Sequence, residues 1–312
     1  MKYKEWLDVW FTNYIEPSSK MKTRERYSEI IEQRLKVKLG EYELDELTPM
    51  VLQNYVTELV RSGNLVTGNG LSANSVNGVI TVIQNSLKFS HTLGELKEYT
   101  AYKIKRPKTK EKSVQCFSFS EQKQIEQAAL SNKSRKYIGI VLCLYSGLRI
   151  GELLALTWND VDLENGTLTV NKTCHDGIDA DGVFGRFVDE PKTQSSLRSI
   201  PIPKQILALL KKYRKSRISD NVIESEMGEP LTVRSYQRTF ELLQKRLEIE
   251  RRGFHSLRHT FATRALECGM DVKTLAEILG HKNPTVTLNR YAHSMTEYKK
   301  NIMNRLGKIF NN

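Results

Sequence analysis

Between Tyr137 and Tyr145 the chain reads YIGIVLCLY, its longest apolar stretch. Crossing a bilayer takes roughly 20 apolar residues, so this run is too short to span one and has to be surrounded by protein instead. It predicts a helix from about Lys136 into Leu144 at the centre of a domain, broken at Gly147. A chain of 312 residues, 39% of them hydrophobic, holds two ordinary domains, each with its own core. The opening MKYKEWLDVW sets charges among its apolar residues and has no signal-peptide pattern. A cytoplasmic protein with no membrane partner is expected.

The two domains are divided by charge. Lys103, Lys105, Arg106, Lys108, Lys110 and Lys112 crowd around Pro107 with a single acid and no apolar period. That reads as an extended basic linker over 104–116, between a domain at 1–103 and another at 117–312. A solvated surface loop is the plainer reading of the same residues.

The first domain is helical. Trp6, Val9, Trp10 and Tyr14 are expected on one face of a first helix, and Thr48 with Pro49 opens a second that carries Val51, Leu52, Tyr55, Val56 and Leu59. Ser72 or Asn74 opens a third that ends near Gly94. In the second domain Ser118 and Glu121 form a capping box, and the apolar helix follows. The β-branched alternation in Leu163–Thr173, Phe187–Val188 and Arg198–Ile202 then predicts a small antiparallel sheet, with the Gly- and Asp-rich piece Asp176–Gly185 as its loop. From about Lys204 the pattern is helical again. The fold class is mainly α with a small antiparallel β-sheet, in two domains.

Lys and Arg number 48 against 36 Asp and Glu, a net charge of +12 that favours a polyanionic partner. Cys116, Cys143, Cys174 and Cys268 are scattered, which suggests neither disulfides nor a zinc site and leaves reduced, mostly buried thiols. No phosphate-binding GxxxxGK[ST] loop is present.

Three clusters carry the chemistry, and each has a plain reading as well as a functional one. Arg149 follows Gly147 at a helix boundary, where a buried arginine needs an anionic partner; that partner is a substrate or simply Glu152. His255 and Arg258 are spaced i, i+3 at the start of a helix that ends at Gly269, so one anion touches both, or both are ordinary surface groups. Asp271 caps a helix that Gly280 ends. Asn283 and Pro284 start the next, which leaves His281 in the turn and places Tyr291 two turns on, either as a core side chain or as a nucleophile.

Together LYSGLRIGELLAL, HSLRHTFAT and LGHKNPTVTLNRYAH resemble the tyrosine recombinase (phage integrase) family, whose boxes they follow in order from about 145 to 295. The likeness of residues 1 to about 103 to the family's helical core-binding domain is looser. The resemblance implies a site-specific recombinase that cleaves and rejoins DNA through a 3′-phosphotyrosine on Tyr291, with no cofactor, ATP or metal. Arg149 and Arg258 would hold the phosphate oxygens, His255 assist proton transfer from Tyr291, and His281 hydrogen bond to the phosphate. Glu152 and His259 match supporting positions. The family also places a lysine general acid on a β-hairpin turn, and Pro191–Arg198 looks like its PKTxxSxR form, which assigns Lys192; Lys172 in VNKT is the rival.

The implied partners are double-stranded DNA sites gripped between the two domains, with phosphate contacts from Lys103, Lys105, Arg106, Lys108 and Lys110. A homotetramer on DNA, a monomer free of it, and accessory DNA-bending or directionality proteins belong to the same implication. The segment from about 294 would dock on a neighbouring subunit or pack within its own. A type IB topoisomerase-like activity and an inactive DNA-binding protein of the same fold are the alternatives. The chain also begins directly with the core-binding pattern, so either its element uses simple sites or an arm-binding domain lies upstream of this sequence.

Overall fold

The computed structural model describes residues 1–109, 115–178, 182–189, 197–291, 303, 304 and 307. The chain divides into two compact units at Lys112/Ser113. Their helices are α1 Tyr3–Trp10, α2 Glu16–Ser18, α3 Met21–Ile30, α4 Lys36–Leu39, α5 Pro49–Ser62 and α6 Ala73–Thr92, then α7 Phe119–Leu130, α8 Ile138–Ser146, α9 Ile150–Ala155, α10 Lys204–Lys215, α11 Val233–Arg246, α12 His255–Glu267, α13 Val272–Leu279 and α14 Pro284–Tyr291. Among the described residues no helix is long and apolar enough to cross a membrane.

In the first unit α1 buries Tyr3, Trp6, Leu7 and Trp10. That i, i+3, i+4, i+7 stripe leaves Val9, expected on the same face, 40% exposed. A π-helical turn at Phe11–Ile15 continues α1 into α2 and turns Phe11, Tyr14 and Ile15 together against the core. Trp6 donates its indole N–H to the Ser86 carbonyl, 3.0 Å, which docks α1 on α6. Thr48 caps α5 and Ser72 caps α6 through their hydroxyls, as their sequence contexts indicate.

The basic segment after α6 is less free than an extended linker. Ile104 is buried, the Lys105 amide donates to Gln53, and Arg106 donates to the Asn77 carbonyl and the Gln84 side chain. Residues 103–107 are therefore laid along α5 and α6. The side chains of Lys103, Lys105, Arg106 and Lys108 are exposed, and Lys110 lies outside the described residues.

The second unit is built around α8, whose side chains from Ile138 to Leu144 are all buried. Beside it the strands form two small sheets rather than one: β1 Val161–Asp162, β2 Thr167–Val170 and β5 Arg198–Pro201 make one, and β3 Thr173–Ile178 with β4 Phe184–Asp189 the other, both antiparallel. Asp176, Gly177 and Gly185, expected in a loop, are paired in the β3–β4 ladder. Strand β5 pairs with β2, setting Val170 against Arg198 and Leu168 against Ile200. A separate small core joins α12, α13 and α14 through Ala262, Ala265, Leu266, Leu275, Leu279 and Tyr291. Cys143 and Cys174 are buried, whereas Cys268 is exposed.

Candidate active site

Gly147 ends α8 in the left-handed region at φ 64°, and a Cβ there would sit 2.5 Å from Phe261. This turn puts Arg149 at the N-cap of α9 with Glu152 at N3. The Glu152 carboxylate accepts the Arg149 backbone N–H at 2.9 Å and its Nη1 at 2.7 Å. Arg149, identified in the sequence by its place after Gly147, is thus paired with Glu152 while its side chain stays 37% exposed.

The end of α13 organises the rest. Asp271 caps the start of this helix, accepting from the amides of Lys273 and Thr274, and Gly280 closes its end at φ 63°. The Gly280 and His281 amides turn back onto Glu277 and Ala276. That closure leaves the last three carbonyls without helical partners. Each is taken by a different arginine: Arg198 Nε donates to Ile278 at 2.6 Å, Arg258 Nη2 to Leu279 at 2.6 Å, and Arg149 Nη2 to Gly280 at 3.3 Å. The negative end of the helix dipole favours cations at this position.

Arg258 is 1% exposed, and its Nη1 also donates to the Gly147 carbonyl at 2.8 Å. Its Nη2 meets His281 Nε2 at 3.0 Å. A guanidinium only donates, so Nε2 is the acceptor there and the His281 proton sits on Nδ1, which faces the buried Thr287 hydroxyl at 2.6 Å. Burial and the Arg149 charge push the pKa of Arg258 down to about 9. Burial alone would raise the Glu152 carboxyl, but Arg198 and Arg149 outweigh it and hold it at about 2. Among the described residues no carboxylate pairs with Arg258, and Glu152 pairs with both Arg149 and Arg198.

Tyr291 ends α14 and is 1% exposed. Its hydroxyl meets His259 Nδ1 at 2.7 Å. His255, expected to assist this tyrosine, lies exposed one turn earlier, its ring edge-on to His259 with centroids 4.5 Å apart. The His259 ring is thus in contact with the phenol. Direct hydrogen bonds pair Arg149 with Glu152 and Arg258 with His281, the adjacent carbonyls of Gly280 and Leu279 hold the two arginines, and α12 sets His259 beside Arg258 in the chain. Lys192 lies outside the described residues, as does the expected tail after Tyr291, apart from residues 303, 304 and 307. Lys172 is engaged by Asp160 at 2.6 Å and Thr157 at 3.0 Å.

Arg198 is the member of the site given no role in the sequence reading. Its signal was strand alternation: it shares a face with the buried Ile200, and an arginine on a buried strand face has to have an anionic or carbonyl partner. Thr287, fully buried against His281, gave no such signal.

The profile of the phage integrase family matches residues 115–297, and that of the phage integrase N-terminal SAM-like domain matches residues 2–60. A tyrosine recombinase XerC-like protein of Caldanaerobacter subterraneus subsp. tengcongensis is 28% identical over 278 residues, 81% of this chain and 71% of that protein. The transposase from transposon Tn916 of Enterococcus faecalis is 30% identical over 191 residues, 56% of this chain and 46% of that protein. The fold is shared with the integrase of transposon Tn1549, solved with transposon right end DNA, at a TM-score of 0.80 and 23% identity over 98% of this chain and 100% of that one.

Proposed function

The chain belongs to the phage integrase family of tyrosine recombinases and is an enzyme that cleaves and rejoins DNA at specific sites; on that premise we propose that Tyr291 is its nucleophile and that Arg149, Arg258 and His281 hold the phosphate under attack. The observation that carries this reading is the convergence of Arg149, Arg198 and Arg258 on the end of α13, with Arg258 buried and without a carboxylate partner among the described residues. A phosphodiester brings the missing negative charge, and its non-bridging oxygens suit the planar guanidinium forks.

In this scheme the Tyr291 phenol gives its proton to a histidine of α12, His255 or His259, and its oxygen bonds to phosphorus as the bond to the 5′ oxygen breaks. The phosphate stays on the 3′ strand as a phosphotyrosine, so its bond energy is kept without ATP. The departing 5′ oxygen takes a proton, for which Lys192 is the candidate donor. Arg149, the most exposed of the three, meets a phosphate oxygen, while the buried charge of Arg258 stabilises the negative charge that grows in the transition state. His281 Nε2 accepts from Arg258 here, so it has to gain a proton before it donates to a phosphate oxygen. The phenol is covered and held by His259, so attack requires α14 to carry Tyr291 out of its pocket. Reversal with a 5′ hydroxyl from another strand gives strand exchange. Two duplexes have four strands to cut, which fits a homotetramer on DNA, with DNA-bending or directionality proteins as further partners and a mobile element as the setting.

The test is to express the protein beside its native locus, lyse under denaturing conditions, digest unprotected DNA and search by mass spectrometry for nucleotide on Tyr291. Wild type yields the adduct and Tyr291→Phe yields none while still binding DNA. An adduct on another residue, or equal cleavage by the variant, refutes the assignment.

A further inference from the structure

Resting on this reading of Arg149 and Arg258, we propose that Arg198 is an additional positioning residue, which holds Glu152, and through it the Arg149 guanidinium, on the C-terminal turn of α13. Arg198 reaches the cluster from β5, and its side chain is only 6% exposed. Its Nη2 donates to Glu152 Oε2 at 2.8 Å and its Nη1 to Oε1 at 3.1 Å, a two-point grip on the same carboxylate that binds Arg149. Its third anchor is the Ile278 carbonyl, at 2.6 Å, one residue before the carbonyl held by Arg258. Buried in this way, Arg198 acts through Glu152 rather than on the phosphate.

Two consequences follow from that geometry. The first is orientation. Glu152 Oε1 accepts from both Arg149 Nη1 and Arg198 Nη1, so the plane of the carboxylate, and with it the reach of Arg149, is set by Arg198. The second is charge. A carboxylate facing Arg149 alone would neutralise it; shared with Arg198, it leaves Arg149 with positive charge to offer a phosphate. Strand β5 also follows directly on the segment that contains Lys192, so Arg198 ties the strand leaving that segment to the helix end that bears the other arginines.

The experiment compares wild type, Tyr291→Phe, Arg198→Lys, Arg198→Ala, Arg149→Ala and the double variant Arg149→Ala/Arg198→Lys, using single-turnover cleavage of a suicide duplex made from the trapped site. Lysine keeps the charge but, as a point donor, cannot bridge both Glu152 oxygens and reach Ile278 as well. Arg198→Lys should cleave about 30-fold slower with its DNA Kd within about twofold of wild type, as expected when positioning and not binding is lost. The double variant should cleave no slower than Arg149→Ala, because the Arg198 effect passes through Arg149. Added guanidinium ion should restore part of the Arg198→Ala rate. Wild-type rate in Arg198→Lys, or losses that multiply in the double variant, overturns the proposal, and so does loss of fold in both Arg198 variants, which makes Arg198 a stability residue only. Failure of wild type itself to form an adduct on Tyr291 is a different outcome and removes the nucleophile assignment instead.

Discussion

Replacing Gly280 by alanine tests whether the end of α13 aligns the arginines. The added Cβ would be 3.0 Å from Arg198 Nη1 and 3.2 Å from its Cδ and Cζ, so the guanidinium has to give way by a few tenths of an ångström. The left-handed conformation at φ 63° costs a further ~1–2 kcal/mol for a residue with a Cβ. For a domain of this size that lowers Tm by roughly 2–8 °C. The displacement acts on the contacts of Arg198 with Ile278 and Glu152, and a cleavage loss of about 10-fold is expected with DNA affinity unchanged. Gly269 supplies the control. It also has positive φ, at 93°, but nothing lies within 4 Å of its Cβ position. Gly269→Ala should therefore lose comparable stability and keep its cleavage rate. Urea unfolding and single-turnover cleavage of the two variants decide the matter. Equal cleavage in both would refute the idea that the helix end sets the arginines.

Other expectations follow from individual contacts. Glu152→Gln should cost about 3 kcal/mol at pH 7, since the carboxyl falls from an ordinary 4.5 to about 2. That contribution is complete above pH 4.5, so urea titrations should show the gap to wild type narrowing by about 1.4 kcal/mol per pH unit below it; a gap independent of pH would contradict the charge argument. Arg135→Met strips the fully buried Glu224 of its ion-pair partner and should cost about 3 kcal/mol by chemical denaturation, with cleavage at low temperature unaffected. Tyr291→Phe removes the hydrogen bond to His259 and should lower stability by about 1 kcal/mol; a melting curve identical to that of wild type would mean that this contact contributes nothing.

Much of the site could be read from local signals because it is built from helix ends. Gly147, Asp271, Gly280, Asn283 and Pro284 are residues whose backbone preferences fix a cap wherever they fall, and they placed Arg149 and His281 at turns where the structure has them. Capping by Ser118, Thr48 and Ser72 was legible for the same reason. Contacts formed only by tertiary packing were not. Val9 matched the helical period, yet the apolar face was decided by Tyr3 and Leu7. The Gly- and Asp-rich piece around Gly177 and Gly185 looked like a loop because strand propensity is weak there, but ladder pairing with Phe184–Asp189 overrode it. His259 came to the Tyr291 hydroxyl from 32 residues away, a contact that no spacing rule anticipates.

The arginines are held by carbonyl oxygens of Ile278, Leu279 and Gly280, which every amino acid possesses. The side chains at 278 and 279 are accordingly constrained by the core around them and not by the reaction, so they are free to drift among apolar residues of suitable volume without touching the chemistry. A designer who grafted the arginines, the histidines and the tyrosine onto a new scaffold would leave behind the part that aligns them. The unit of transplantation is a helix terminus with its glycine, and a catalogue of reactive side chains would not record it.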